Sequence, residues 1–317
     1  MLRRWRSQPI KEDDSSSQDA KVEELSAGLG TLSGRNAKVC TDACLRRYLE
    51  ARNWNVEKAK KMLEETLKWR SIFKPEEIHE LLNLFAPRLG SSQHEVAHEG
   101  ETGKVSRANF HDRMGRPVLI MRPVITQPSI LFSAGPQKTV AGEGNISHLV
   151  YLLENAILNL PEDQEQMSWL VDFTGWSINT NVPIKIARDI IYTLQNHYPE
   201  RLAIIILYNP PRIFEAFHKI VKYFADQKTS QKIKFVYPNK KASVEIVKSF
   251  FDNENLPSEF GGNGTLKYDH EEFSKLMVQD DVKTAKFWGF DKEQSRGLNG
   301  HVGAEVAPKP ASLAPPC

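Results

Sequence analysis

The spacing of His94, Glu95 and His98 matches a zinc-hydrolase motif. In the pattern His-Glu-x-x-His, a helix would place two imidazoles on one face as zinc ligands, with the glutamate as general base. The surrounding sequence argues against this chemistry, because residues 90–92 are Gly-Ser-Ser and Gly100 follows closely. Such a short segment has no apolar face to seat a helix in a core. We keep a zinc metalloprotease only as an alternative interpretation.

Other catalytic and metal-binding patterns are missing. Cys40 and Cys44 lie four residues apart without a second pair or a nearby histidine, so we predict no metal site there. Three cysteines do not form a disulfide framework, which favours a reducing compartment. The sequence has no Gly-x-Ser-x-Gly elbow, no phosphate-binding P-loop, and no dinucleotide loop that joins a strand to a helix. We predict that the protein is not an enzyme and has no cofactor.

Apolar and basic residues are concentrated between Pro199 and Lys241. The run Leu202–Leu207 has no polar alternation, which is typical of a strand covered on both faces. Asn-Pro-Pro at 209–211 ends it, and apolar residues then recur at helical spacing. From Arg212 to Lys241, eight lysines or arginines face two acids, whereas the whole chain carries only +2. An amphipathic helix beside excess positive charge is suited to lipid. The apolar stripe consists of Ile213, Phe214, Phe217, Ile220, Val221 and Phe224.

The order of elements predicts an α/β protein with a small helical module in front of it. Helices are expected from Thr41 or Asp42 and from Asn55, which can cap them. Helices alternate with strands after residue 105, which indicates a mostly parallel sheet. The expected division is a disordered arm at 1–35, a helical module at 36–87, a polar linker at 88–104, the α/β domain at 105–266, and a C-terminal extension with a disordered tail at 267–317.

No stretch reaches the ~18 uninterrupted apolar residues of a membrane span, and the N-terminus lacks the apolar core of a signal peptide. We therefore expect a soluble, cytoplasmic protein. Strands are predicted at 117–124, 168–173, 202–207 and 233–237. The helices between them are predicted at 148–159 and 183–198.

Five motifs, in order, resemble the CRAL-TRIO lipid-binding family and its phosphatidylinositol/phosphatidylcholine transfer branch. The similarity extends from Asp42 to Thr265. The motifs are Leu-Arg-Arg-Tyr-Leu-Glu-Ala-Arg at 45–52 with Trp-Asn-Val at 54–56, Asp112 with Gly-Arg-Pro-Val at 115–118, Asp-Phe-Thr-Gly-Trp-Ser at 172–177, Tyr-Pro-Glu-Arg at 198–201, and Leu-Pro-Ser-Glu-Phe-Gly-Gly at 256–262.

This resemblance implies a sheet that forms the floor of a hydrophobic pocket, closed by a mobile gate helix at 213–224. It also implies that Glu200, Arg201 and Lys232 hold the lipid headgroup, with Thr229 nearby. Ser177 matches a polar pocket residue tied to phosphatidylcholine. Glu50 departs from the family pattern, because many members carry arginine there.

The function implied is binding of phosphatidylinositol, and also phosphatidylcholine, with transfer or presentation of the lipid at membrane surfaces. The expected partners are phospholipid, a transiently contacted membrane and, for presentation, a lipid kinase. Nucleic acid is not expected, and the protein is expected to be a monomer. The alternative is a carrier or sensor of a sterol, tocopherol or retinoid. Periodicity alone would also allow the aromatic helix to face the core, with Glu200, Arg201 and Lys232 as ordinary surface charges.

Overall fold

The computed structural model describes residues 12–32, 34–78, 103–123, 143–176, 184–212, 231–265 and 268–290. Four helices come first, α1 Glu12–Leu29, α2 Gly34–Val39, α3 Asp42–Ala51 and α4 Val56–Phe73. The predicted caps are present, since the Thr41 and Asn55 side chains accept hydrogen bonds from backbone amides three residues on. A 3-10 turn, Pro75–Glu77, follows α4. The sequence also predicts a helix that opens at Pro75 and carries Ile78, Leu81, Leu82 and Phe85, of which the last three lie outside the described residues.

The prediction of a disordered arm over 1–35 is wrong for residues 12–29, which form α1. Val22 and Leu25 of this helix are buried, and they pack with Leu45, Leu49 and Leu63 of α3 and α4. The sequence does not indicate this helix, because most of its residues are serine or charged and few are apolar. Tertiary packing therefore supplies stability that local composition does not show.

A five-stranded sheet forms the centre of the α/β domain. Its strands are β1 Val105–His111, β2 Pro117–Met121, β3 Met167–Asp172, β4 Leu202–Tyr208 and β5 Ile233–Val236. They lie side by side in sequence order, with β1 antiparallel to β2 and the other pairs parallel. The predicted α/β fold with a mostly parallel sheet is confirmed.

Among the described residues, four helices pack around the sheet: α5 Glu143–Leu158, α6 Ile184–His197, α7 Lys241–Phe250 and α8 His270–Trp288. A second 3-10 turn spans Ser258–Phe260. The expectation that order fades after residue 267 is wrong for α8. Phe273 and Met277 of α8 are buried in the core beside α5. Asp280 is also buried, and it accepts from Arg107 at 2.6 Å. A charged residue in a sequence usually indicates a solvent-exposed position, so Asp280 gives no sign that this helix is buried.

The two faces of the sheet have different neighbours. Register places Val118, Leu170 and Ile206 on the face that packs with Val247 of α7 and with Phe260. On the opposite face, the row Leu119–Trp169–Ile205–Ile233 runs across the sheet, and a second row, Met121–Val171–Leu207–Phe235, lies next to it. Leu119 and Trp169 pack with helices, whereas Val171, Leu207, Ile233 and Phe235 belong to a second cluster.

Candidate functional site

The strand-built region is an apolar surface that we call the floor cluster. Its buried members are Val171, Phe173 and Leu207. Five partly buried residues pack against them: Met121, Trp176, Ile205, Ile233 and Phe235. Within the described part of the chain, the cluster contains only strand residues and residues of the segment after β3. Apolar side chains on one face of a sheet can form the floor of a ligand pocket.

Glu200 and Lys232 form an ion pair at one end of the floor cluster. Glu200 lies two residues before β4 and Lys232 directly precedes β5, and because these strands are parallel the two residues meet at the same end of the sheet. The Lys232 ammonium lies 3.1 Å from a Glu200 carboxylate oxygen, with the side chains 21% and 17% exposed. Both backbones are anchored, since Ile205 donates to the Lys232 carbonyl and Gln166 donates to the Glu200 carbonyl.

Glu200 also has a backbone φ of 55°, in the left-handed region. For a glutamate this conformation costs about 1 kcal/mol, so the surrounding contacts have to hold it. The pair presents a cation with three donors and a carboxylate with acceptors only. An incoming phosphate can replace the carboxylate at Lys232, and ligand hydroxyls can replace the ammonium at Glu200.

Arg201 makes different contacts from its neighbour Glu200. Its guanidinium donates to the Glu165 carbonyl at 2.9 Å and to the Glu165 Oε2 atom at 2.8 Å. Arg47 of α3 binds that same Oε2 atom. Burial, and then repulsion from Arg47, lower the pKa of Arg201 to about 10. The structure thus joins Glu200 to Lys232 and joins Arg201 to Arg47 through Glu165. The assignment of Arg201 to the headgroup stays a prediction.

The remaining predicted site residues lie outside the described residues. These are Ser177, Thr229, the gate residues Ile213, Phe214, Phe217, Ile220, Val221 and Phe224, and the motif residues His94, Glu95 and His98. Among the residues that are described, no group of three or more His, Cys, Asp or Glu side chains is placed to hold a metal ion. No helix there is both long and apolar enough to span a bilayer.

A cavity of about 360 Å³ lies between the N-terminal helices, the α/β domain and α8. Four basic residues line it, Lys38, Arg47, Arg70 and Arg201, whereas Glu200 and Lys232 are not among its lining residues. It is therefore a second concave site, separate from the Glu200–Lys232 pair.

One wall of this cavity is a buried polar network centred on Arg70. Its guanidinium lies 2.7 Å from Glu154 and 3.3 Å from Glu76, and Tyr198 donates to Glu154 at 2.6 Å. Burial alone would raise the pKa of Glu154, but the Arg70 charge and these hydrogen bonds outweigh it and lower the pKa. His197 stacks on Trp69 with ring centroids 4.2 Å apart. Burial, and then Arg70, lower the pKa of His197 to about 4.

Sequence reasoning missed Arg47, Glu165 and the part of the floor cluster on β5. The alternation Ile233-Lys234-Phe235 could have indicated that Ile233 and Phe235 share one face. Glu165 gave no signal, because it lies in a polar loop, and only the fold brings it to Arg47 and Arg201.

Comparison with known proteins identifies relatives of this chain. The family model described as CRAL/TRIO domain matches residues 100–262, and the model described as CRAL/TRIO, N-terminal domain matches residues 17–65. The chain is 33% identical over 260 residues to the phosphatidylinositol transfer protein PDR17 of Saccharomyces cerevisiae, covering 78% of this chain and 66% of that protein. It is 28% identical over 232 residues to the phosphatidylinositol transfer protein CSR1 of Eremothecium gossypii, covering 72% and 48%.

A CRAL-TRIO domain-containing protein of Schizosaccharomyces pombe is 30% identical over 239 residues, which is 75% of this chain but 20% of that protein. The chain thus spans from a fifth to two thirds of the length of these curated relatives. The solved structure titled "Crystal structure of Sfh5" superposes with a TM-score of 0.59 at 16% identity, covering 90% of this chain and 96% of that one. This likeness supports the fold alone.

Proposed function

The chain belongs to the CRAL/TRIO domain family, and from that premise we propose that it binds phosphatidylinositol and phosphatidylcholine and exchanges them at membrane surfaces. Two relatives are named as phosphatidylinositol transfer proteins, which supports this choice of lipid. The exchange would serve either transfer between membranes or presentation of the lipid to a kinase. The role is non-catalytic and needs no cofactor, with the bound phospholipid as the ligand.

The observation that carries this proposal is the position of the Glu200–Lys232 pair beside the floor cluster. Lys232 directly precedes Ile233, and Ile233 is a member of the floor cluster together with Phe235. A phospholipid needs the same combination, an apolar surface for its acyl chains and a charged group at one end for its phosphate. The site therefore matches an amphipathic ligand better than a wholly apolar one.

The physical need for such a protein follows from the cost of exposing a lipid to water. A phospholipid has ~30 acyl methylenes at about 0.8 kcal/mol each, so free passage through water costs roughly 20 kcal/mol or more. Burial on the floor cluster replaces that exposure. Basic residues near the bilayer add about 1 kcal/mol each of attraction to anionic lipid, which favours docking without permanent insertion.

Headgroup choice depends on the carboxylate. Glu200 can accept hydrogen bonds from inositol hydroxyls, and choline has no hydroxyl of that kind. Lys232 donates to phosphate in this scheme, and Thr229 adds a hydroxyl. Ser177 would serve phosphatidylcholine. We place the gate at 213–224, which would open on a cytosolic membrane surface and close over one lipid bound to a monomer.

Mass spectrometry of lipid extracted from the purified protein tests the ligand class. The proposal predicts co-purified phosphatidylinositol or phosphatidylcholine. A bound sterol, tocopherol or retinoid without either phospholipid would instead favour the alternative carrier.

The gate has its own test. The Phe217→Asp variant places a charge in the apolar stripe, so lipid exchange between vesicles should stop while the free energy of unfolding changes little. Unchanged exchange would remove this stripe from the gate.

A further inference from the structure

The cavity between the N-terminal helices and the α/β domain has more positive than negative charge on its walls. The carboxylates that line it, Glu76 and Glu154, are both bound to Arg70. Lys38, Arg47 and Arg201 remain. The nearby thiol and phenol groups are neutral at pH 7, because burial raises the pKa of the Cys44 thiol and of the Tyr48 and Tyr198 hydroxyls. His197 adds no charge of either sign at this pH.

Among the basic residues that line the cavity, Arg47 and Arg201 have fewer carboxylates than positive charges around them. Both guanidiniums bind one oxygen, Oε2 of Glu165. Each arginine side chain is only 11% exposed, whereas Glu165 is 46% exposed and is not among the residues that line the cavity. Buried charges are normally matched by partners of opposite sign. Two sheltered guanidiniums that share one half-exposed carboxylate are therefore short of an anion on the cavity side.

From this geometry we infer that the cavity is an anion site, in which Arg47 and Arg201 bind the phosphate of a small phosphate ester. Guanidinium forks match phosphate oxygens in bidentate geometry. The volume of about 360 Å³ is at the lower end of the roughly 300–1,000 Å³ range of small-molecule sites. Val39, Leu158 and Trp288 supply an apolar wall for the body of the ligand. In this assignment Arg201 serves the second cavity and not the lipid headgroup.

Titration calorimetry with inorganic phosphate and with glycerol 3-phosphate, at ionic strength held constant with chloride, tests the site. The full chain should bind both anions saturably. Arg47→Gln should weaken binding about tenfold or more, because one charged hydrogen-bond partner is lost. Arg46→Gln is the matched control. Arg46 is adjacent on α3 and pairs with Asp19 on the surface, so its loss should change binding less than about twofold.

Glu165→Gln separates a binding role from a purely structural one. Removing the carboxylate that competes for both arginines should tighten phosphate binding several-fold, and Glu165 is exposed enough for the variant to fold. The exposed Glu162 gives the control Glu162→Gln, which should leave the affinity unchanged. This pair keeps the test decisive if Arg47→Gln does not fold. Absence of saturable binding together with unchanged lipid transfer by Arg47→Gln, or equal effects in variant and control, would overturn the site.

Transfer of labelled phosphatidylinositol distinguishes the source of the phosphate. If the ligand is a soluble ester, Arg47→Gln should lose phosphate binding but transfer lipid like the wild type. If the phosphate belongs to a lipid headgroup, Arg47→Gln should slow transfer and the soluble esters should not bind. Failure of phospholipid exchange in the wild type would count against the proposed function alone, because the calorimetry does not depend on it.

Discussion

The helix-packed region and the floor cluster occupy the same face of one sheet, yet they are built differently. In the first region Trp169 and Leu119 are sealed by α5 and α8, and the polar network of Arg70 closes its edge. In the second, Val171 and Leu207 are flanked by half-buried Ile233 and Phe235, and the charged pair at its end is partly exposed. One half of the face is packed by helices, whereas among the described residues the neighbours of the other half come from strands and from the segment after β3.

In the function we propose, the first region stabilises the fold and the second contacts the ligand. A buried polar group whose partners are all internal stabilises a fixed arrangement. A partly exposed ion pair contributes little to stability and can exchange its partners for those of a ligand. We therefore expect substitutions in the first region to act on unfolding and substitutions in the second to act on lipid exchange.

The largest expected effect is that of Arg70→Ala. The substitution leaves Glu154 buried without its cation and leaves Glu76 with Arg35 alone, which should lower the free energy of unfolding by about 3–5 kcal/mol. Denaturant unfolding measures it. The control is Arg46→Ala, whose exposed pair with Asp19 should be worth only about 0–1 kcal/mol. Equal losses in the two variants would show that the Arg70 network is no more stabilising than a surface pair.

A pH dependence of stability is expected from His197. Its pKa is about 4 in the folded chain, against 6.5 for an unperturbed histidine. Between these values the unfolded state binds more protons, so the free energy of unfolding should fall as the pH drops from 7 to 4. We expect a loss on the order of 2 kcal/mol, reduced from the full shift because the ring is partly solvated.

The His197→Gln variant should show a flatter pH profile of unfolding than the wild type. The control is His111→Gln, at an exposed position at the end of β1, which should keep the wild-type slope. If His197→Gln and the wild type lose stability in parallel on acidification, His197 is not the group responsible.

Phe235→Ser tests the floor cluster with a smaller expected change. Loss of its apolar contact with the acyl chains, worth about 1.5–3 kcal/mol, should slow transfer of both phospholipids about tenfold or more. Phe250→Ser is a matched control, because Phe250 is also half-buried but packs on the opposite face of the sheet. It should destabilise the protein to a similar extent and leave transfer near the wild-type rate. Equal slowing in both variants would remove Phe235 from the lipid site.

Much of this fold could be predicted from the sequence, because strong local patterns coincide with it. The uninterrupted run at 202–207 and the caps Thr41 and Asn55 mark elements that the structure confirms. Helices α1 and α8 were missed, since each buries a narrow stripe and α8 also buries two aspartates. Local composition cannot reveal partners supplied by distant segments.

The candidate site was only partly predictable for the same reason. The family motif pointed to Glu200, Arg201 and Lys232 as one group. The structure pairs the first with the third and directs Arg201 to Glu165, a residue from a polar loop 36 positions earlier. Two neighbouring residues just before a strand can have side chains in different sites. Their adjacency in the sequence does not show which site each side chain occupies.

The central claim is that the Glu200–Lys232 pair selects an inositol lipid above the floor cluster. The most direct test is transfer of labelled phosphatidylinositol and phosphatidylcholine between vesicles by the wild type, Lys232→Ala and Lys234→Ala. Both variants lose one lysine, but Lys234 is exposed and lies on the face of β5 opposite Ile233 and Phe235 of the floor cluster. Lys232→Ala should slow phosphatidylinositol transfer about tenfold and spare phosphatidylcholine, while Lys234→Ala should affect both lipids equally and weakly. Equal loss of both lipids in Lys232→Ala would contradict the account.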